Sequence, residues 1–187
     1  MKKQKSNQPA KRKSKAARHI EIPIEAKGAY IMPYKAKAGS IGYDLAVSED
    51  IHVPAYSRFI IPLNFAIGLP QNVEAKIEPR SGFSLRGIEG YGIRRERKKW
   101  LGIFPYWHDV GGKQHFDADI LIGKIDPNYK DSVCLIINNH DVAFVIRKGT
   151  RLAQMTFYRV VSPKLIEVEC LDGEDRGGGI GSTGTTV

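Results

Sequence analysis

Val73, Ala75 and Ile77 alternate with Glu74, Lys76 and Glu78, the period of a strand with one buried face. Ile166, Val168 and Cys170 alternate with Glu167 and Glu169 in the same way and predict a second such strand. Residues 133–137 and 142–146 are short continuous apolar runs, consistent with strands buried on both faces. Asn138, Asn139, His140 and Asp141 between them suit a tight hairpin. Residues 58–63 and 152–160 are further strand-like runs. Pro54, Pro62, Pro70, Pro79, Pro127 and Pro163 recur too often for long helices, and no stretch sustains a helical period. The pattern predicts an all-β body without internal repeats: a sandwich, jelly roll or barrel.

A chain of 187 residues, 42% apolar and 26% charged, has room for one globular domain and a short tail. No apolar run is long enough to cross a membrane as a helix, and the charged start lacks the apolar segment of a secretory signal. Cys134 and Cys170 cannot form a disulfide framework and read as small core residues in a reducing compartment. The five histidines are scattered and show no zinc-ligand spacing with cysteine.

The net charge of +9 is unevenly placed. Residues 2–18 hold eight Lys and Arg and no acid, so the rest of the chain is nearly neutral. The sequence therefore divides into a basic tail expected to be disordered (1–18), a β body (19–173) and a glycine-rich C-terminal arm (174–187). Two readings of the tail stand side by side: a solubilising leader, or an arm with weak affinity for nucleic acid or another polyanion.

Residues 86–118 interrupt the body. Arg94, Arg95, Arg97, Lys98 and Lys99 precede Trp100, Phe104, Tyr106 and Trp107. Cations interleaved with rings can bind single-stranded nucleic acid. The reading taken is a hairpin whose Trp and Phe pack on the body.

Five short segments carry candidate chemistry. Gly42-Tyr43-Asp44-Leu45 opens a strand after a turn, where an Asp is commonly a cap. Glu78-Pro79-Arg80-Ser81-Gly82 offers a cation, a hydroxyl and open backbone amides, which suit anionic oxygens as well as an ordinary turn. In Gly123-Lys124-Ile125-Asp126-Pro127-Asn128-Tyr129, Asp126 should end a strand as turn cap or general base, with Tyr129 roofing the same pocket. Gly149-Thr150-Arg151-Leu152-Ala153-Gln154 turns into a buried strand, and an inward Gln154 amide would need partners. The run from Asp175 to Gly184 holds Arg176, Ser182 and Thr183 among glycines, as a disordered end or a phosphate-closing flap.

In this order the five segments resemble the five motifs of the trimeric dUTPase family, over roughly residues 25–184. The resemblance implies a jelly-roll-like β-clip barrel assembled as a homotrimer, hydrolysing dUTP to dUMP and pyrophosphate with Mg²⁺, in the cytoplasm of the cell or of a host cell. It implies that Asp126 activates a water for attack on the α-phosphorus. Tyr129 would pack on the deoxyribose, and Arg80, Ser81, Gly82 and Gln154 would contact phosphate. Asp44 would order metal-bound water without touching the ion. Uracil would be read by backbone around Gly123 and Cys134. Arg176, Ile180, Ser182 and Thr183 would belong to the arm that closes the site.

Three departures stand out. Ile180 occupies the place of a ring that stacks on uracil, a loss on the order of 1 kcal/mol. Pro79 and Asp126 lie 47 positions apart, more than twice the family's spacing, so 86–118 reads as an insertion beside the site. Lys130-Asp131-Ser132 replaces the usual glycine and acidic pair after Tyr129. Two alternatives are kept: a dUTPase-fold binding or assembly protein, and a dCTP deaminase-like enzyme. The second resembles the chain less, because residues 130–141 contain no Glu to act as its catalytic residue.

Overall fold

The computed structural model describes residues 20–174. The chain forms β1 (Ile24–Ala26), β2 (Tyr43–Ala46), β3 (Ile51–Val53), β4 (Arg58–Pro62), β5 (Phe65–Ile67) and β6 (Val73–Pro79). A short helix, α1 (Ser81–Arg86), leads into a long ribbon, β7 (Ile88–Trp100) and β8 (Phe104–Phe116). Then come β9 (Ala118–Ile120), β10 (Gly123–Ile125), β11 (Cys134–Asn139), β12 (Phe144–Ile146) and β13 (Arg151–Arg159).

The strands make four antiparallel sheets, ordered β1-β5, β10-β6-β13-β2, β4-β11-β9 and β3-β12-β7-β8. Alternation at β6 does what its sequence foretells: Val73, Ala75 and Ile77 are buried and the charged residues between them are half-exposed. The inward sets of the larger sheets join in one core around Leu45, Val47, Ile61, Leu63, Leu135, Ile137, Leu152 and Met155. The architecture is nearly all-β, as the sequence predicts.

Four expectations fail, each for a definable reason. Residues 166–170 alternate correctly but form no strand, and Leu165, Ile166, Val168 and Leu171 are exposed; alternation marks a segment that could pair, and this one lies against no sheet among the described residues. Cys170 is exposed with it, and Cys134 is half-buried, so neither is a full core residue. The apolar run 133–137 is not buried on both faces: Ile136 is 43% exposed, opposite an exposed Ile60. Residues 138–141 do not close a hairpin. β11 pairs with β4 and β9 while β12 pairs with β3 and β7, so this turn carries the chain from one sheet to another. Buried Asn139 fixes the turn, its Nδ2 donating to Pro54 O at 2.7 Å and its Oδ1 accepting from the Asp141 amide at 2.9 Å.

Residues 88–116 form a hairpin, as expected, but its rings do not pack on the body. β7 and β8 stay in register for 13 pairs, from Ile88↔Phe116 to Trp100↔Phe104. Its root is core: Ile88 and Phe116 are fully buried, and Phe116 stacks on Phe144 with centroids 4.4 Å apart. Gly90 and Gly92 sit under that stack, where a Cβ would lie 2.5 Å from Phe144 Cδ2 and 2.8 Å from Phe116 Cζ. Arg94 locks the root to the body, pairing with Asp141 and donating to His115 O at 3.0 Å. Burial pushes the Asp141 carboxyl up, but the Val142 and Asp117 amides and Arg94 outweigh it and hold it below the usual range. Beyond this root, Trp100, Phe104, Tyr106 and Trp107 are 64, 58, 46 and 61% exposed.

Candidate functional site

The sheet β10-β6-β13-β2 carries motif residues at both of its ends. At one end Gln154 lies between Asp44 on β2 and Glu78 on β6, the three abreast across adjacent strands. Asp44 is 5% exposed, and two cations hold its carboxylate. Arg151 Nη1 donates to Oδ2 at 2.9 Å, and Arg80 Nε stands 3.6 Å from Oδ1. Arg80 is tied down further, its Nη1 donating to Arg151 O at 3.2 Å. Its Nε is buried and has no hydrogen-bond partner among the described residues. That buried Nε faces the carboxylate, so what remains for an incoming anion is the partly exposed outer edge of a guanidinium braced from behind by Asp44, a preorganised receptor.

Local sequence explains this end. Pro79 closes β6, and Arg80 stands at the N-cap of α1 without a capping side chain, which frees its guanidinium to turn back toward Asp44. Ser81 and Gly82 form the first residues of the helix, where backbone amides lack intrahelical carbonyls. Gly42 lies against Gln154, where a Cβ would come 2.7 Å from Oε1, so the glycine makes room for the half-buried amide.

The other end holds Asp126 and Tyr129. β10 pairs with the first half of β6, Ile125 facing Ala75, and Asp126 follows at the strand end beside Glu74. A cleft of about 630 Å³ opens there, lined by Asp126, Tyr129, Asn128, Glu74 and Gln71. The Tyr129 amide donates to Asp126 O at 3.1 Å, and its hydroxyl donates to Ser132 O at 2.9 Å, so the ring is fixed from both sides. Burial pushes the Tyr129 hydroxyl pKa up, keeping the ring neutral.

The two ends do not meet within one chain. Register places Asp126 level with Glu74 and the Asp44–Gln154 row level with Glu78, four strand residues away. At ~3.3 Å per residue that is about 13 Å. The structure therefore brings Asp44, Arg80 and Gln154 together, with Ser81 and Gly82 next to Arg80 in the chain, and leaves Asp126 and Tyr129 apart from them; Gly123, opposite Ile77, lies one residue from the Glu78 row on the far side of β6. Arg176, Ile180, Ser182 and Thr183 lie outside the described residues. Sequence reasoning named Arg151 in the fourth segment but gave it no task; it braces Asp44, and its place in that segment was the signal.

Among the described residues no three His, Cys, Asp or Glu converge on a metal site. Asp44 is already satisfied by two guanidiniums, so the donor set fits an anion, and a cation that arrives on it, better than a protein-caged metal. No helix of the described residues is long and apolar enough to cross a membrane.

Residues 29–104 and 112–184 match the dUTPase family. Over 154 residues the chain is 33% identical to a monkeypox virus deoxyuridine 5'-triphosphate nucleotidohydrolase, spanning 81% of this chain and 82% of that one. A protein of the same name from Oryza sativa is 32% identical over 156 residues, 82% of this chain and 74% of its own. The dUTPase of the Staphylococcus aureus phage phi11, whose structure describes coordination of a structural Mg(II) ion, shares the fold at a TM-score of 0.61 and 17% identity, covering 80% of this chain and 97% of that one. With the motif residues gathered at the two ends of one sheet, these matches establish that the chain belongs to the dUTPase family.

Proposed function

We propose that the protein hydrolyses dUTP to dUMP and pyrophosphate in sites shared between the copies of a homotrimer. The observation that carries this reading is the split constellation: an anion receptor at one end of a sheet and a carboxylate with a fixed ring at the other. Closed symmetry lets one copy's receptor face a neighbour's Asp126. The unpaired alternating segment 166–170 supports the same assembly, since a neighbour can offer the partner surface it lacks among the described residues.

Arg80 and Gln154 bind phosphate oxygens, with the Ser81 hydroxyl and Gly82 amide beside them. Asp126 takes a proton from a water that attacks the α-phosphorus; the α–β bridging bond breaks and pyrophosphate leaves. Tyr129 covers the sugar and excludes a 2′-hydroxyl. Mg²⁺ carried on the triphosphate would supply charge neutralisation there, and Asp44 would face it through water. Arg176, Ser182 and Thr183 close over the far phosphates.

The test has two parts. Purified protein given dUTP, dCTP, dTTP and UTP should release pyrophosphate from dUTP alone, and orthophosphate release or no turnover rejects the activity. Arg80→Ala and Asp126→Asn chains, each nearly inactive alone, should regain activity when unfolded together and refolded as a mixture. Random assortment restores about a quarter of the sites. No recovery in mixtures that light scattering shows to be trimeric rejects the shared site.

A further inference from the structure

We infer that the outer half of the β7–β8 ribbon binds single-stranded nucleic acid, a role separate from catalysis. The inference rests on how the register sorts the side chains. Residues facing each other across an antiparallel pair share a face, and successive pairs alternate faces. One face therefore carries Arg95, Arg97 and Lys99 in a row along β7, with Trp107 beside Arg97. Neighbours in that row are about 7 Å apart, twice the strand rise. The other face carries Lys98 beside Tyr106 and, one pair outward, Trp100 against Phe104 with ring centroids 6.3 Å apart.

Nothing inside the chain uses these groups. Trp107 is 61% exposed, and neither Arg97 nor Lys99 has an ion-pair partner among the described residues. Arg95 meets Asp109 at 3.6 Å with both side chains well exposed, a contact worth little. The ribbon is nevertheless held firmly at its root by Arg94, Asp141 and the Phe116–Phe144 stack, so it presents the rings on a fixed scaffold. A row of cations tracks a phosphate backbone, and exposed rings beside it stack unpaired bases without regard to sequence. Paired bases offer no free face to a ring, so the single strand is the matching form.

The experiment is fluorescence anisotropy of a labelled 20-nucleotide oligothymidylate with the full chain at low salt. Binding should quench tryptophan fluorescence. Trp107→Ala should weaken binding roughly tenfold or more, and Trp107→Phe should restore most of it. Arg97→Ala with Lys99→Ala should flatten the dependence of log affinity on log salt by about 1.4. Turnover of dUTP should be unchanged in all three. Residues 1–18 contain no aromatic residue, so affinity from the tail would survive Trp107→Ala and give no quenching. Wild-type affinity in Trp107→Ala overturns the proposal. So does tighter binding to phosphatidylserine vesicles than to the oligonucleotide, which would make the apolar turn with Leu101 and Ile103 a membrane contact.

Discussion

Asp126→Asn is expected to lower kcat by ~10²–10⁴-fold while leaving the fold, the assembly and nucleotide binding in place. The side chain is exposed at the end of β10 and makes no contact that the core depends on. Its backbone carbonyl, which closes the turn to Tyr129, is untouched by the substitution. An amide of the same shape keeps the outline of the cleft but cannot accept the proton that the attacking water must lose. The loss should fall on kcat, because the proposed phosphate contacts lie with Arg80 and its neighbours at the other end of the sheet. Steady-state kinetics with dUTP, beside a thermal melt, decide the matter. A variant with near wild-type kcat places the base elsewhere.

Gly87→Ala is expected to be the most damaging single methyl group added to this protein. Gly87 links α1 to the ribbon with φ 81° and ψ −178°, a conformation that essentially only glycine adopts. A Cβ there would stand 2.2 Å from Phe116 O and 2.9 Å from its carbonyl carbon. Neither atom can yield, since Phe116 is fully buried and pairs with Ile88 at the first step of the ribbon. Strain at the backbone and the clash together should cost more than about 3 kcal/mol, a large part of a domain's stability. Gly111→Ala is the control: a Cβ there meets nothing nearer than Ile93 Cγ1 at 3.8 Å. Urea unfolding of the two variants should show a collapsed midpoint for the first and little change for the second. Equal midpoints would mean that the α1–β7 junction is not built as described.

Alternation made β6 legible from Val73 to Glu78, but β3 and β9, each three residues with one buried face, are too short to show a period, and the alternation at 166–170 announced a strand that does not form. Continuous apolar runs are less informative. They reveal burial but not neighbours, so residues 138–141 suggested a hairpin where the chain changes sheets. The site was legible as motifs that named Asp44, Arg80 and Gln154; sheet register then set Asp44 and Gln154 on one row, and the Arg80 side chain turns back to it. Their spacing along the chain said nothing of the 13 Å or so that separates this row from Asp126, since sheet register decides that. Arg151 was given no task because a cation at a strand start has many ordinary uses; only its geometry beside Asp44 gives it a purpose. The exposure of Trp100 and Trp107 was equally invisible, because composition does not say how far a hairpin reaches beyond its root.

The glycines at that root have a structural corollary. Gly90 and Gly92 let the Phe116–Phe144 pair close the core beneath the ribbon, so the packed body ends inward of Arg95. Everything outward from there is free of packing obligations to the body. It can be lengthened, trimmed or given other side chains without disturbing the core. The ribbon is in this sense a socket, and the residues plugged into it can be exchanged without touching the strands that hold Asp44 and Gln154.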